Sequence, residues 1–138
     1  MAEDRFDKIG PLLAAIGQEA AIIVGGNPDG LFIYAEIGDQ WISVDVFRDQ
    51  GEKVRLFDHG HEFTDLFWDL WEADDPEKRW AVMEYRVDGT KFSVEFQFPS
   101  EVDVESMDLD QREIALRKRY GDKPVIYPPI PESLLKHD

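Results

Sequence analysis

Residues 80–98 read WAVMEYRVDGTKFSVEFQF, and this stretch decides the fold. Two alternating runs, Trp80 to Val87 and Lys91 to Phe98, flank Asp88-Gly89. Asp-Gly between alternating segments is a strong hairpin signal, because a residue tolerant of positive φ closes a tight turn whose twist matches the strands. Phe92, Val94, Phe96 and Phe98 share one face of the second run; Lys91, Ser93, Glu95 and Gln97 share the other. A helix is expected on each side of this hairpin. Upstream, Phe63, Leu66, Phe67, Leu70 and Trp71 recur at i, i+3, i+4, i+7 and i+8, which predicts a helix over 61–73. Asp74-Asp75-Pro76 ends it. Downstream, past an acidic loop from Pro99 to Met107, Asp108 and Gln111 form a capping-box pattern. Asp108 and Asp110 lie at the positive end of that last helix and Arg117, Lys118 and Arg119 at its negative end. Gly121 supplies its C′ residue and Pro124 lies beyond.

Toward the N-terminus the pattern changes period. Phe6, Ile9, Leu13 and Ile16 fall at helical spacing over residues 4–17, with Gly10-Pro11 predicting a kink or a restart. Ala20 to Val24 reads as a strand, and Gly25 to Gly30 is dense in turn residues. Leu31, Ile33, Ala35 and Ile37 alternate with Phe32, Tyr34 and Glu36; Ile42, Val44 and Val46 alternate with Ser43 and Asp45 within Trp41 to Phe47; a short strand surrounds Val54 and Leu56. Strands joined by short turns must run antiparallel, since parallel neighbours need crossovers of about a dozen residues. The expected order is α-β-β-β-β-α-β-β-α. This is an α+β fold: a single antiparallel sheet of about six strands with helices mainly on one face. The chain reads as one domain, 1–138, with 121–138 a proline-rich arm in which Val125 to Pro131 is extended.

The 138 residues hold 30 Asp+Glu against 15 Lys+Arg, a net charge of −15. Such a surface repels phosphate backbones and anionic lipid, so neither nucleic acid nor membrane is an expected partner. It attracts basic proteins. The 43% hydrophobic fraction argues against an acidic disordered tail. With no cysteine there is no disulfide framework, Cys-based zinc site or cysteine nucleophile. Residues 1–7 lack an apolar signal segment, and the longest aliphatic run, Ala20 to Val24, is far too short to span a bilayer, so a cytoplasmic protein is expected.

Catalytic motifs are missing: there is no G-x-S-x-G, P-loop or G-x-G-x-x-G. Acid pairs for proton transfer are too abundant to mean anything. No catalytic residue, cofactor or metal is assigned, and a non-enzymatic role is expected. Asp58-His59-Gly60-His61 could begin a metal site, but with no third histidine nearby it reads as a solvated loop ahead of a helix. Phe32, Tyr34, Trp41 and Phe47 could line a cup for a small ligand; the plainer reading is a sheet face covered by a terminal helix or by Pro128 to Pro131. Ile114, opposite Leu109, Leu116 and Tyr120, is assigned to that same arm.

The helix over 61–73 is more specific. At about 100° per residue its apolar stripe covers about 140°, and Glu62, Asp65, Asp69 and Glu72 cluster opposite within about 80°. Trp68 falls at the edge of the acidic face. From Asp58 to Glu77 there are eight acids and no Lys or Arg. Glu72, Asp74 and Asp75 crowd the helix's negative end, where the macrodipole disfavours each by up to about 1 kcal/mol. Local stability therefore does not explain them. Glu62, Asp65, Trp68, Asp69, Glu72, Asp74 and Asp75 are the candidate contact residues for a basic protein, with the Glu101–Asp110 loop as a second contact.

Trp80-Ala81-Val82-Met83-Glu84-Tyr85, followed by Val87-Asp88-Gly89-Thr90-Lys91-Phe92-Ser93-Val94-Glu95-Phe96, resembles the hairpin of YezG-like antitoxins. The acidic helix before it is similar, as are the acidic loop and the Arg112 to Tyr120 helix after it. The resemblance spans roughly residues 30–120 and departs at Tyr120 to Pro129. It implies a cytosolic immunity protein that neutralises a secreted polymorphic toxin, often a nuclease, by tight binding without cofactor or turnover. No binding residue carries across from the family. The oligomeric state is open, a homodimer included.

Overall fold

The computed structural model describes residues 5–38, 40–101 and 109–127. Its elements are α1 (Arg5–Ile23), β1 (Leu31–Gly38), β2 (Trp41–Asp49), β3 (Val54–Phe57), α2 (His61–Ala73), β4 (Val82–Asp88), β5 (Lys91–Gln97), α3 (Leu109–Tyr120) and β6 (Val125–Ile126). Single 3₁₀ turns lie at Pro76–Lys78 and Pro99–Glu101. The fold is α+β, built on one six-stranded sheet in the order β5-β4-β1-β2-β3-β6.

The two hairpins are antiparallel and continuous in register, β1 with β2 from Leu31↔Arg48 to Gly38↔Trp41 and β4 with β5 from Val82↔Gln97 to Asp88↔Lys91. The second turns at Gly89-Thr90, one residue later than the Asp88-Gly89 expected, with Gly89 at φ +65° as the first central residue and Asp88 paired with Lys91 at the end of β4. Between the hairpins α2 carries the chain from β3 across to β4, which pairs with β1. β1 is thus central, flanked on both sides and covered on both faces, and residues 31–37 are all buried. Alternation of large apolar and aromatic residues along it marks two buried faces, not one.

The N-terminal elements differ from the sequence expectation. Ala20 to Ile23 is the end of α1, not a strand, and α1 runs unbroken through Pro11. The reason is packing. Ile9, Leu13, Ile16, Ala20 and Val24 form one buried stripe at helical spacing, and its continuity outweighs the strand preference of Ile22 and Ile23 and the hydrogen bond lost at Pro11. Gly25 and Gly26, at φ +99° and +108°, stop the helix, with the Gly26 N–H donating to the Ala21 carbonyl at 2.7 Å. The sixth strand comes instead from Val125–Ile126, which pairs with β3 in parallel, so the sheet is mixed and mostly antiparallel. The order is therefore α-β-β-β-α-β-β-α-β.

The helices divide between the faces. α1 and α2 cover one, with Phe63, Phe67 and Leu70 packed against Ile33, Ala35, Val44, Val46 and Met83. α3 covers the other, with Ala115 and Leu116 over Phe32, Tyr34, Phe47 and Val82. Among the described residues no helix is long and apolar enough to cross a membrane. Asp108, most of the Glu101–Asp110 loop and Pro128 to Pro131 lie outside the described residues.

Candidate functional site

α2 forms because its apolar stripe has a core to fill. Phe63, Phe67 and Leu70 are buried, and the Phe63 and Phe67 rings meet edge-on at 5.2 Å. Its N-cap is Gly60, which offers no side-chain oxygen. Ahead of it, His59 places Nε2 2.7 Å from the Val44 carbonyl and Nδ1 3.3 Å from the Gly60 carbonyl. Its ring lies 5.3 Å from Phe63. His59 therefore ties the start of α2 to β2. His61 is exposed, and no group of three or more metal-ligating side chains occurs among the described residues.

Glu62, Asp65, Asp69 and Glu72 are exposed along the outward side of α2, and Asp75 is exposed just after it. None of these five takes part in an ion pair among the described residues; the pairs that form there involve Asp45, Asp49, Glu84, Asp88 and Glu95. Two of the seven candidate residues stand apart. Asp74 is only 6% exposed and serves as the C-cap of α2, so it belongs to the interior. Trp68 is half-buried, packs on the core and meets Trp71 edge-on at 5.8 Å. It is chiefly a structural residue with an accessible margin beside Glu72. The Trp71 indole N–H donates to the Trp80 carbonyl at 3.0 Å, and the Arg79 guanidinium lies 4.3 Å from the Trp71 ring. Arg79 is thus the cation nearest in sequence after Lys78, held on an aromatic face at the end of α2.

The other sheet face uses its charges internally. Arg112 reaches Asp45 at 3.2 Å, Arg119 reaches Asp88 at 3.1 Å and Lys123 reaches Asp49 at 2.8 Å. These three pairs fasten α3 and the residue stretch after it to β2 and the end of β4. The bond from Lys123 holds the Asp49 carboxyl below its usual range. Tyr120 donates to the Gly30 carbonyl at 3.2 Å, and burial pushes its hydroxyl up to about 12.

Phe32, Tyr34 and Phe47 are at most 4% exposed beneath α3, with the Tyr120 ring edge-on to Phe32 at 6.0 Å. The aromatic face is core, so it offers no open cup. Trp41 stands apart at the β1–β2 turn, 40% exposed and close against Gly38. Ile114 is exposed among the described residues.

Sequence reading missed the buried acids. Glu36 is 5% exposed and accepts the Tyr34 hydroxyl at 2.9 Å. Burial, and then the Glu36 carboxylate, raise the Tyr34 hydroxyl far above its usual range. Glu84 is raised as well, chiefly by burial, although Arg86 opposes the shift. A polar residue in an alternating run looks solvent-facing; only the central place of β1 and β4 shows otherwise.

No protein-family model matches the chain, and no curated protein aligns with it significantly.

Proposed function

We propose that this chain is a non-enzymatic acidic binding protein, an immunity protein or antitoxin that neutralises a basic, nuclease-type toxin by tight binding. The observation that carries this reading is the outward face of α2, where Glu62, Asp65, Asp69 and Glu72 stand exposed without an ion pair among the described residues. Glu62, in the first turn, suits the positive end of the helix, but Asp65 and Asp69 have no ion pair among the described residues and Glu72 opposes the macrodipole; a partner of opposite charge accounts for these three. A nuclease cleft is basic because it holds phosphates, and a rigid row of carboxylates can occupy it as a substrate mimic. The resemblance of residues 30–120 to YezG-like antitoxins points the same way, to a cytoplasmic protein acting without cofactor or turnover. Asp75 and the margin of Trp68 extend the contact beyond the four helical acids.

The experiment is co-expression with the protein encoded by the adjacent reading frame. Protection from its toxicity, and co-purification with it, should both fail when Asp65, Asp69 and Glu72 are reversed to lysine. A reversed protein that stays folded and still protects would remove α2 as the binding face.

A further inference from the structure

The two edges of the sheet are unlike. β6 is a two-residue strand, short enough to offer little to another chain. β5 runs seven residues in unbroken register, with no proline, and no strand among the described residues pairs with its outer side. Gly89-Thr90 is a two-residue turn, so Asp88 and Lys91 form the closing hydrogen-bonded pair. Residues 91, 93 and 95 then direct their backbone groups at β4, while Phe92 and Val94 direct theirs outward.

Laid antiparallel on a copy of itself about Ser93, β5 is self-complementary. Lys91 faces Glu95 of the second copy, Phe92 faces Val94, and both relations repeat by symmetry. Arg86 holds both Glu95 at 2.9 Å and Glu84 at 3.3 Å, so two carboxylates share one guanidinium, and Glu95, the outer of the two, stays exposed and open to a second cation. Lys91 is exposed. On the apolar side Phe92 is 55% exposed yet fixed, its ring stacked on Tyr85 at 5.3 Å and 8°.

We propose that β5 is a self-recognition edge that joins two copies of this chain, through Phe92 and Val94 backbone bonds and reciprocal Lys91–Glu95 pairs, into one twelve-stranded sheet. The two-fold axis stands perpendicular to the sheet. Both α1–α2 layers therefore lie on the same side, and the outward faces of both α2 helices stay uncovered. The pairing does not depend on the function proposed above.

The test is sedimentation velocity of the full chain over a concentration series, for the wild type, for Lys91→Glu, for Glu95→Lys and for an equimolar mixture of the two variants. The wild type should show a monomer–dimer equilibrium. Each variant alone places like charges opposite one another twice and should weaken association about 10- to 30-fold, with unchanged circular dichroism. The mixture restores both opposite-charge pairs and should recover association as a heterodimer. A wild type that is monomeric throughout, or a dimer indifferent to either variant, would overturn the proposal, as would a mixture no stronger than its components.

Discussion

α2 and α3 are helices of nearly equal length on opposite faces of one sheet, and they use charge in opposite ways. Beneath each is an apolar contact: Phe63, Phe67 and Leu70 under α2, Ala115 and Leu116 under α3. Above that contact they diverge. α3 and the turn after it commit Arg112, Arg119 and Lys123 to carboxylates of the sheet. α2 turns four carboxylates to solvent, with no ion pair for any of them among the described residues. Among the described residues, exposed acids outside the ion pairs also lie elsewhere, including Glu19, Glu52, Asp58, Glu77, Glu113 and Asp122, but only α2 lines up four of them along one helix face. A charged residue is informative about function when the fold gives it nothing to do.

The contrast should be absent from the undersides. Phe67→Ala removes a fully buried ring from between α2 and the sheet, and should cost about 3–5 kcal/mol in denaturant unfolding. A cost near zero would mean that α2 is not seated on the core, and its outward face would lose its definition. The charges themselves should separate the helices by sign. Arg112→Ala leaves Asp45 without its partner in a half-buried setting and should cost about 2 kcal/mol. Glu72→Lys replaces an acid at the negative end of α2 with a cation, and should raise stability by up to about 1 kcal/mol. Destabilisation by Glu72→Lys would show that Glu72 serves the fold after all.

The smallest effect is a pH dependence confined to the α3 side. The folded-state pKa of Asp49 is depressed by Lys123, so its contribution is present above the ordinary aspartate range and is lost as pH falls through the depressed value. Asp49→Asn should therefore lower stability at neutral pH by less than about 1 kcal/mol, since the pair is about one-third exposed. The gap from the wild type should close below about pH 4. A gap that persists in acid would assign the loss to packing rather than to the ion pair.

What was legible in the sequence followed from periodicity. The 61–73 helix, the β4–β5 hairpin and the strands of β1 to β3 are local patterns with local turn chemistry, and the chain adopts them as read, with the hairpin turn one residue later than expected. Ala20 to Val24 failed because a short aliphatic run suits strand and buried helix equally; its place in the Ile9–Leu13–Ile16 stripe decided it. β6 failed because two residues after a proline carry no period at all, and only the neighbouring edge of β3 makes them a strand. In the candidate site, the acids of α2 were readable from the helical wheel. The burial of Asp74 was not, because it depends on how the chain leaves the helix. The interior place of Tyr34, Glu36 and Glu84 was hidden in the same way, since alternation reports two faces without saying that both are covered.

The central claim is that the α2 carboxylates are a recognition surface. Its most direct measurement is the stopped-flow association rate with the basic partner, from low to high salt, for the wild type and for the protein with Asp65, Asp69 and Glu72 reversed to lysine. The account predicts a fast wild-type rate that falls steeply with salt, and a slow, nearly salt-independent rate for a variant of undiminished thermal stability. The same rate and the same steep salt dependence in both proteins would contradict it.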